Sequence, residues 1–190
     1  MIGERTMAKK VGILLGSTRQ NRISPAIAAW VETKIAKHPD LSAELIDLKE
    51  IDLPFFDEPT PPSVAPGTSE AAISWSSRIS NLDAIIILSA EYNAGYPAPL
   101  KNAIDYLKSE WLERPIFIVS YGYKGGTAAA HQLHEVFTRI GSVQIEPGIA
   151  ILIGDKLNEN GAIDDPETSL AIHDAELDVA LKAMEAFTPE

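Results

Sequence analysis

Three stretches of this chain carry more chemistry than a turn requires. Gly16-Ser17-Thr18-Arg19-Gln20-Asn21-Arg22-Ile23-Ser24 crowds hydroxyls and two guanidiniums into one connection. Ala90-Glu91-Tyr92-Asn93-Ala94-Gly95-Tyr96-Pro97 sets an acid, an aromatic, an amide and a glycine in close succession. Ser120-Tyr121-Gly122 leads to Gly125-Gly126. Backbone N–H groups at a helix start attract anions. In the first stretch Ser17, Thr18 and Ser24 add hydroxyl donors, and Arg19 or Arg22 adds a fixed charge with fork geometry. The second stretch has the groups needed to hold a flat, polar-edged ring, and glycines at 95, 122, 125 and 126 would let backbone approach it closely.

The first stretch lacks the Gly-Lys-Ser/Thr ending of a P-loop and the Gly-x-Gly-x-x-Gly dinucleotide fingerprint, so a monophosphate suits it better than a triphosphate or dinucleotide. A capped helix with solvated arginines would account for that loop taken alone. Other candidates fall away. His131, His134 and Glu135 share a helix but match no zinc pattern, and no metal is expected. Ser17 lacks the surroundings of a nucleophile elbow. Lys101 and Asp105 read as an intrahelical pair. Asn102 reads as a cap or brace of the ring-binding loop and not as a catalyst, His173 as a core or interface residue, and Trp30, Trp75 and Trp111 as packing or interface residues.

The elements around these loops alternate. Val11–Leu15 predicts a strand, followed by a helix with Ser24 as N-cap, Pro25 at its first position and Ile27, Val31 and Ile35 inward. Glu44–Leu48 predicts a second strand, and the proline-rich stretch 54–66 a structured loop. A helix over 70–82 turns Ile73, Ile79 and Leu82 to one side. Ala84–Leu88 predicts a third strand, and the next helix carries Leu100, Ala103, Ile104 and Leu107. Pro115–Val119 predicts a fourth strand and 127–140 a helix ended by Gly141. A fifth strand lies within 143–153, interrupted at Pro147-Gly148, and Asp165-Pro166 opens a last helix through Met184. This order predicts an α/β protein, one domain over 1–190, with a five-stranded parallel sheet between helices in the flavodoxin-like order 2-1-3-4-5. The loops after the first, third and fourth strands then meet at one end of the sheet, and they are the three unusual ones.

Bulk properties exclude several classes. A formal charge of −11 disfavours nucleic acid and anionic membranes as partners, and no apolar run is long enough to span a bilayer. There is no cysteine, which excludes disulfides and thiolate chemistry and fits a cytoplasmic protein. Met1–Lys10 has no apolar segment of the signal-peptide kind, and residues 1–9 read as a disordered extension.

Taken together, Gly16–Arg19 with Ser24, Asp52-Leu53-Pro54 to Asp57, Glu91-Tyr92-Asn93, and Pro97 through Leu100-Lys101-Asn102-Ala103-Ile104-Asp105 resemble the NADPH-dependent FMN reductase family. The resemblance runs from about Val11 to Gly141, and departs where Ala90 replaces a frequent proline. It implies FMN with its phosphate on Ser17, Thr18, Arg19 and Ser24, its ring against Glu91, Tyr92 and Asn93, and its pyrimidine edge closed by Ser120, Tyr121 and Gly122. It also implies hydride transfer from NADPH or NADH to the flavin N5, then electron transfer to free flavin, a quinone, an azo compound or a metal ion, with no catalytic side chain. A homodimer or homotetramer is implied too, with Tyr96, Trp111 and the 54–66 loop as contact candidates. A flavodoxin-like electron carrier without nicotinamide oxidation is the alternative.

Overall fold

The structure, a computed structural model, describes residues 7–188. Its elements run β1 (Lys9–Leu15), α1 (Ser24–Ile35), β2 (Leu41–Asp47), α2 (Leu48–Ile51), α3 (Glu70–Ser80), β3 (Ala84–Ala90) and α4 (Ala98–Asp105). They continue through β4 (Pro115–Gly122), α5 (Thr127–Ile140), β5 (Val143–Gln144), β6 (Ile149–Leu152), α6 (Pro166–Ser169) and α7 (Asp174–Ala186). The sheet is parallel throughout, in the order β2-β1-β3-β4-β5, with β6 also paired to β4. The expected flavodoxin-like order is therefore present. The expected fifth strand is two pieces: Pro115 and Ile116 pair with β5, and Val119 to Gly122 pair with β6. Between the pieces lies Pro147, which has no N–H for the ladder.

Strand side chains alternate between two apolar layers. Ile13, Ile86, Phe117, Val119 and Tyr121 face α1 and α7, packing with Trp30, Val31 and Leu181. Leu14, Ile85, Ile87, Ile116 and Ile118 face α3, α4 and α5, packing with Trp75, Ile104 and Phe137. The three tryptophans are packing residues: Trp30 is 0% exposed, Trp75 2% and Trp111 0%. Each indole N–H is satisfied, by Asp174 Oδ1, Ala103 O and Ile104 O respectively. Trp111 is thus no contact residue for a second subunit.

Several boundaries differ from those the sequence predicts. β2 begins at Leu41 because it is an edge strand, where Ser42, Ala43 and Glu44 need not be apolar. Ile73 is exposed, since the large Trp75 sets the phase of α3 and turns Ala72, Trp75 and Ile79 inward. The last helix is broken into α6, a 3₁₀ turn at Ala171–His173, and α7. Asp165 caps α6, accepting from Thr168 N at 3.1 Å. Lys9 belongs to β1 and not to an extension; its Nζ donates to the carbonyls of Met184 and Glu185 at the end of α7. Residues 1–6 of the expected extension lie outside the described residues.

The 54–66 loop is anchored at both ends. Asn102 Nδ2 donates to Pro54 O at 2.8 Å and its Oδ1 accepts from Phe56 N at 2.9 Å, so it braces this loop and not the ring-binding loop expected from sequence. Glu58 accepts from Thr68 N at 2.9 Å and Ser69 N at 3.0 Å, at the entrance to α3. The Ser69 side chain, then those two amides, hold the Glu58 carboxyl down at about 2, against an ordinary 4.5. A depressed carboxyl stabilises the fold above its unfolded value and loses that contribution as pH falls through the folded value. Hydrogen exchange at the Thr68 and Ser69 amides is therefore expected to accelerate between pH 4.5 and pH 2, beyond the intrinsic pH trend. Glu58→Ala, which removes both acceptor oxygens, should show that acceleration already at neutral pH.

Candidate functional site

β1 and β3 are neighbours whose chains cross over in opposite directions, β1 to β2 and β3 to β4. This leaves a crevice beyond their carboxyl ends. Gly16 leaves β1 with its N–H on Leu88 O at 3.0 Å, and a Cβ there would lie 3.0 Å from Leu100 Cδ2. Only glycine lets α4 sit so close to the first loop. After β3, Tyr92 and Gly95 exchange backbone hydrogen bonds of 2.8 and 3.1 Å. The two residues between them, Asn93 and Ala94, carry φ of 51° and 62°. Both lie in the left-handed region, the pattern of a type I′ turn.

The three loops enclose a cleft of about 620 Å³. Seven residues singled out from the sequence line it: Ser17, Arg19, Arg22, Glu91, Tyr92, Tyr121 and Gly122. The far wall is Tyr123, Lys124, Ile153, Leu157, Asn160 and Gly161. Thr18 turns instead to an adjoining pocket of about 340 Å³ with Leu53, Phe55 and Pro99. Asn93 sits exposed at the tip of its turn. Ser120 points to the opposite side of the sheet from Tyr121, and its buried hydroxyl donates to Gly125 O at 2.8 Å. Its part is to hold the Gly125 turn.

The floor under the first loop is polar and unsatisfied. Arg22, whose side chain is 11% exposed, pairs with Asp47 through Nη2 alone. Its Nε and Nη1 are buried without a partner, as are Ser24 Oγ and the Tyr121 hydroxyl. The Tyr121 phenol lies near Ser24 and Ser17 but makes no well-formed hydrogen bond, and burial pushes it up. Ser17 Oγ and the Tyr92 hydroxyl share a hydrogen bond of 2.5 Å. Ser24 is not the N-cap: Ile23 holds that position, and no side chain caps α1. Each unmet buried donor costs about 1–3 kcal/mol, so the cluster is arranged for a group that is itself a multiple acceptor. A guanidinium fork, two hydroxyls and an uncapped helix start suit a phosphate.

Glu91 has a task no sequence pattern reveals. Its Oε2 accepts from Ala128 N at 2.9 Å and Ala129 N at 3.4 Å, capping α5 from a different loop. The helix has Gly126 at its N-cap and no cap of its own. No cluster of three metal-ligating side chains exists among the described residues, and His134 pairs with Glu146 at 2.9 Å. His173 pairs with Glu176 on its own turn, at 2.8 Å.

A family model described as NADPH-dependent FMN reductase matches residues 9–155, which include all three loops. An NAD(P)H-dependent FMN reductase of Saccharomyces cerevisiae is 36% identical over 182 residues, spanning 88% of this chain and 92% of the relative. The chain belongs to the NADPH-dependent FMN reductase family. A more distant relative is a quinone reductase of Pseudomonas putida, 28% identical over 132 residues, 66% of this chain and 67% of the relative. A solved flavoenzyme NAD(P)H:(acceptor) oxidoreductase of Paracoccus denitrificans shares the fold, with a TM-score of 0.71 and 22% identity, covering 94% of this chain and 98% of that one.

The matched span of the NADPH-dependent FMN reductase family ends before part of the far wall. That wall is folded around one amide: Asn158 Oδ1 accepts from Asn160 N at 2.9 Å and Ala162 N at 3.0 Å, while Nδ2 donates to Asp164 at 2.6 Å. Sequence reasoning missed this loop, although its Asn160-Gly161 dipeptide is a turn signal.

Proposed function

We propose that this chain is an FMN-dependent NAD(P)H oxidoreductase that passes electrons from a nicotinamide to a small acceptor such as a quinone, free flavin or azo compound. The observation that carries it is the unsatisfied donor cluster of Arg22, Ser24 and Tyr121 beneath the cleft. Ser17, Arg22, Ser24 and Tyr121 would hold the phosphate, with Arg19 at the rim. Glu91, Tyr92 and Gly122 would border the ring, with Thr18, Asn93 and Ser120 supporting the three loops. Bound FMN would supply the redox chemistry, accepting hydride and returning electrons at one exposed face. The chain contributes binding and orientation and no acid or base of its own.

A quinone acceptor is favoured by the Pseudomonas relative, which is a quinone reductase. We extend the reading to a cytoplasmic homo-oligomer, dimer or tetramer, with the 54–66 loop as a contact: its Phe55 is 82% exposed. The described residues contain no helix long and apolar enough to cross a membrane.

The purified protein is expected to be yellow or to take up added FMN. Anaerobic NADPH or NADH should bleach the flavin absorbance, and a quinone should restore it. Bleaching by neither donor would favour the electron-carrier alternative, and failure to bind FMN would overturn the proposal.

A further inference from the structure

Glu91 stands between the cleft and the start of α5. Its backbone N–H donates to Tyr121 O at 3.2 Å, and its carboxylate reaches Ala128 N at 2.9 Å, from 37 positions away. The residue thus ties the loop after β3 to both the end of β4 and the helix that follows. α5 is long, with 14 residues, and its uncapped start would present roughly half a positive charge. The Glu91 carboxylate sits on that end and itself lines the cleft.

Resting on the function proposed above, we infer that Glu91 is a positioning residue that sets the reduction potential of the bound flavin. Hydride brings two electrons and one proton, so its arrival adds one unit of negative charge, which the site carries while the flavin is reduced; a quinone acceptor then takes the two electrons with that proton and one more proton from solvent. A carboxylate beside the cleft opposes that added charge, and by covering the positive start of α5 it removes a field that would favour it. Both effects act in the same direction. The flavin is held at a lower potential, as suits a site that must hand its electrons on. The carboxylate is retained there because it also supplies the cap that Gly126, lacking a side chain, cannot.

Glu91→Gln separates charge from cap, because the amide keeps a carbonyl oxygen to accept from Ala128. Glu91→Ala removes both, and Glu91→Asp keeps the charge on a shorter arm. In the FMN-loaded protein, Glu91→Gln is expected to strengthen binding of reduced relative to oxidised FMN about tenfold, equivalent to about 30 mV upward in the two-electron midpoint. Glu91→Ala should shift the midpoint in the same sense, and Glu91→Asp should leave it no higher than wild type.

Amide hydrogen exchange on the flavin-free protein reads the cap independently. Ala128 and Ala129 should exchange several-fold faster in Glu91→Ala and stay protected in Glu91→Gln. A Glu91→Gln midpoint equal to wild type would overturn the inference. Should the glutamine variant fail to retain FMN, a Glu91→Asp midpoint raised as far as that of Glu91→Ala would overturn it equally. Unchanged exchange in Glu91→Ala would remove the structural half. Failure of the wild-type protein to bind FMN would instead sink the proposed function, and the exchange result would stand apart from it.

Discussion

Arg22→Ala is expected to weaken FMN binding by about two to three orders of magnitude while leaving the fold intact. Hydrogen bonds to a charged partner are each worth about 1.5–3 kcal/mol, and Arg22 has two buried N–H groups without partners. A loss of about 3–4 kcal/mol corresponds to the stated factor. The flavin-free protein should tolerate the change. Asp47 loses its ion pair but keeps its cap on α2 through Lys49 N at 3.0 Å, and two unmet buried donors disappear with the guanidinium. Arg19→Ala is the informative control. Arg19 lines the same cleft but is exposed, so its charge is screened and about threefold or less should be lost. Fluorescence titration of FMN into both variants checks the pair. If Arg19→Ala loses most of the affinity and Arg22→Ala little, the phosphate lies at the rim and not beneath the start of α1.

That contrast also marks where the sequence stops being legible. The three loops, the strand order and helices such as 127–140 are written in periodicity, glycine and proline, which act locally. Which arginine goes inside is decided by Asp47 on a neighbouring strand, 25 positions away, and no local pattern contains it. The same holds for Glu91. Its type suggested contact with a ring, whereas its carboxylate is engaged by α5. Ser120 and Tyr121 are adjacent in sequence, but strand alternation sends one to each face of the sheet, so they cannot share a ligand edge with their side chains. Fold class follows from what each segment must bury. Site roles follow from partners that only the assembled sheet brings near.

The glycines of the third loop make this dependence measurable. Gly126→Ala is expected to destabilise the protein by about 3–5 kcal/mol, among the largest effects of any single substitution outside the apolar layers. Gly126 has φ of 70°, where alanine carries an intrinsic penalty of about 1–2 kcal/mol. Its Cβ would also lie 2.7 Å from Tyr121 N and 2.9 Å from Tyr121 O. Those are backbone atoms of β4, and they cannot swing aside as a side chain would. Relief requires moving the end of β4, and with it Tyr121 and Gly122 in the cleft wall. Gly161→Ala isolates the conformational part: φ there is 75°, and nothing lies within 4 Å of an added Cβ. At about 2–4 °C per kcal/mol for a chain of this size, Gly126→Ala should lower Tm by about 6–20 °C and Gly161→Ala by only a few degrees. Equal losses at the two positions would mean that the left-handed backbone alone selects glycine there. A larger loss at Gly126, accompanied by weakened FMN binding, would mean that the close approach to Tyr121 is what the cleft is built on.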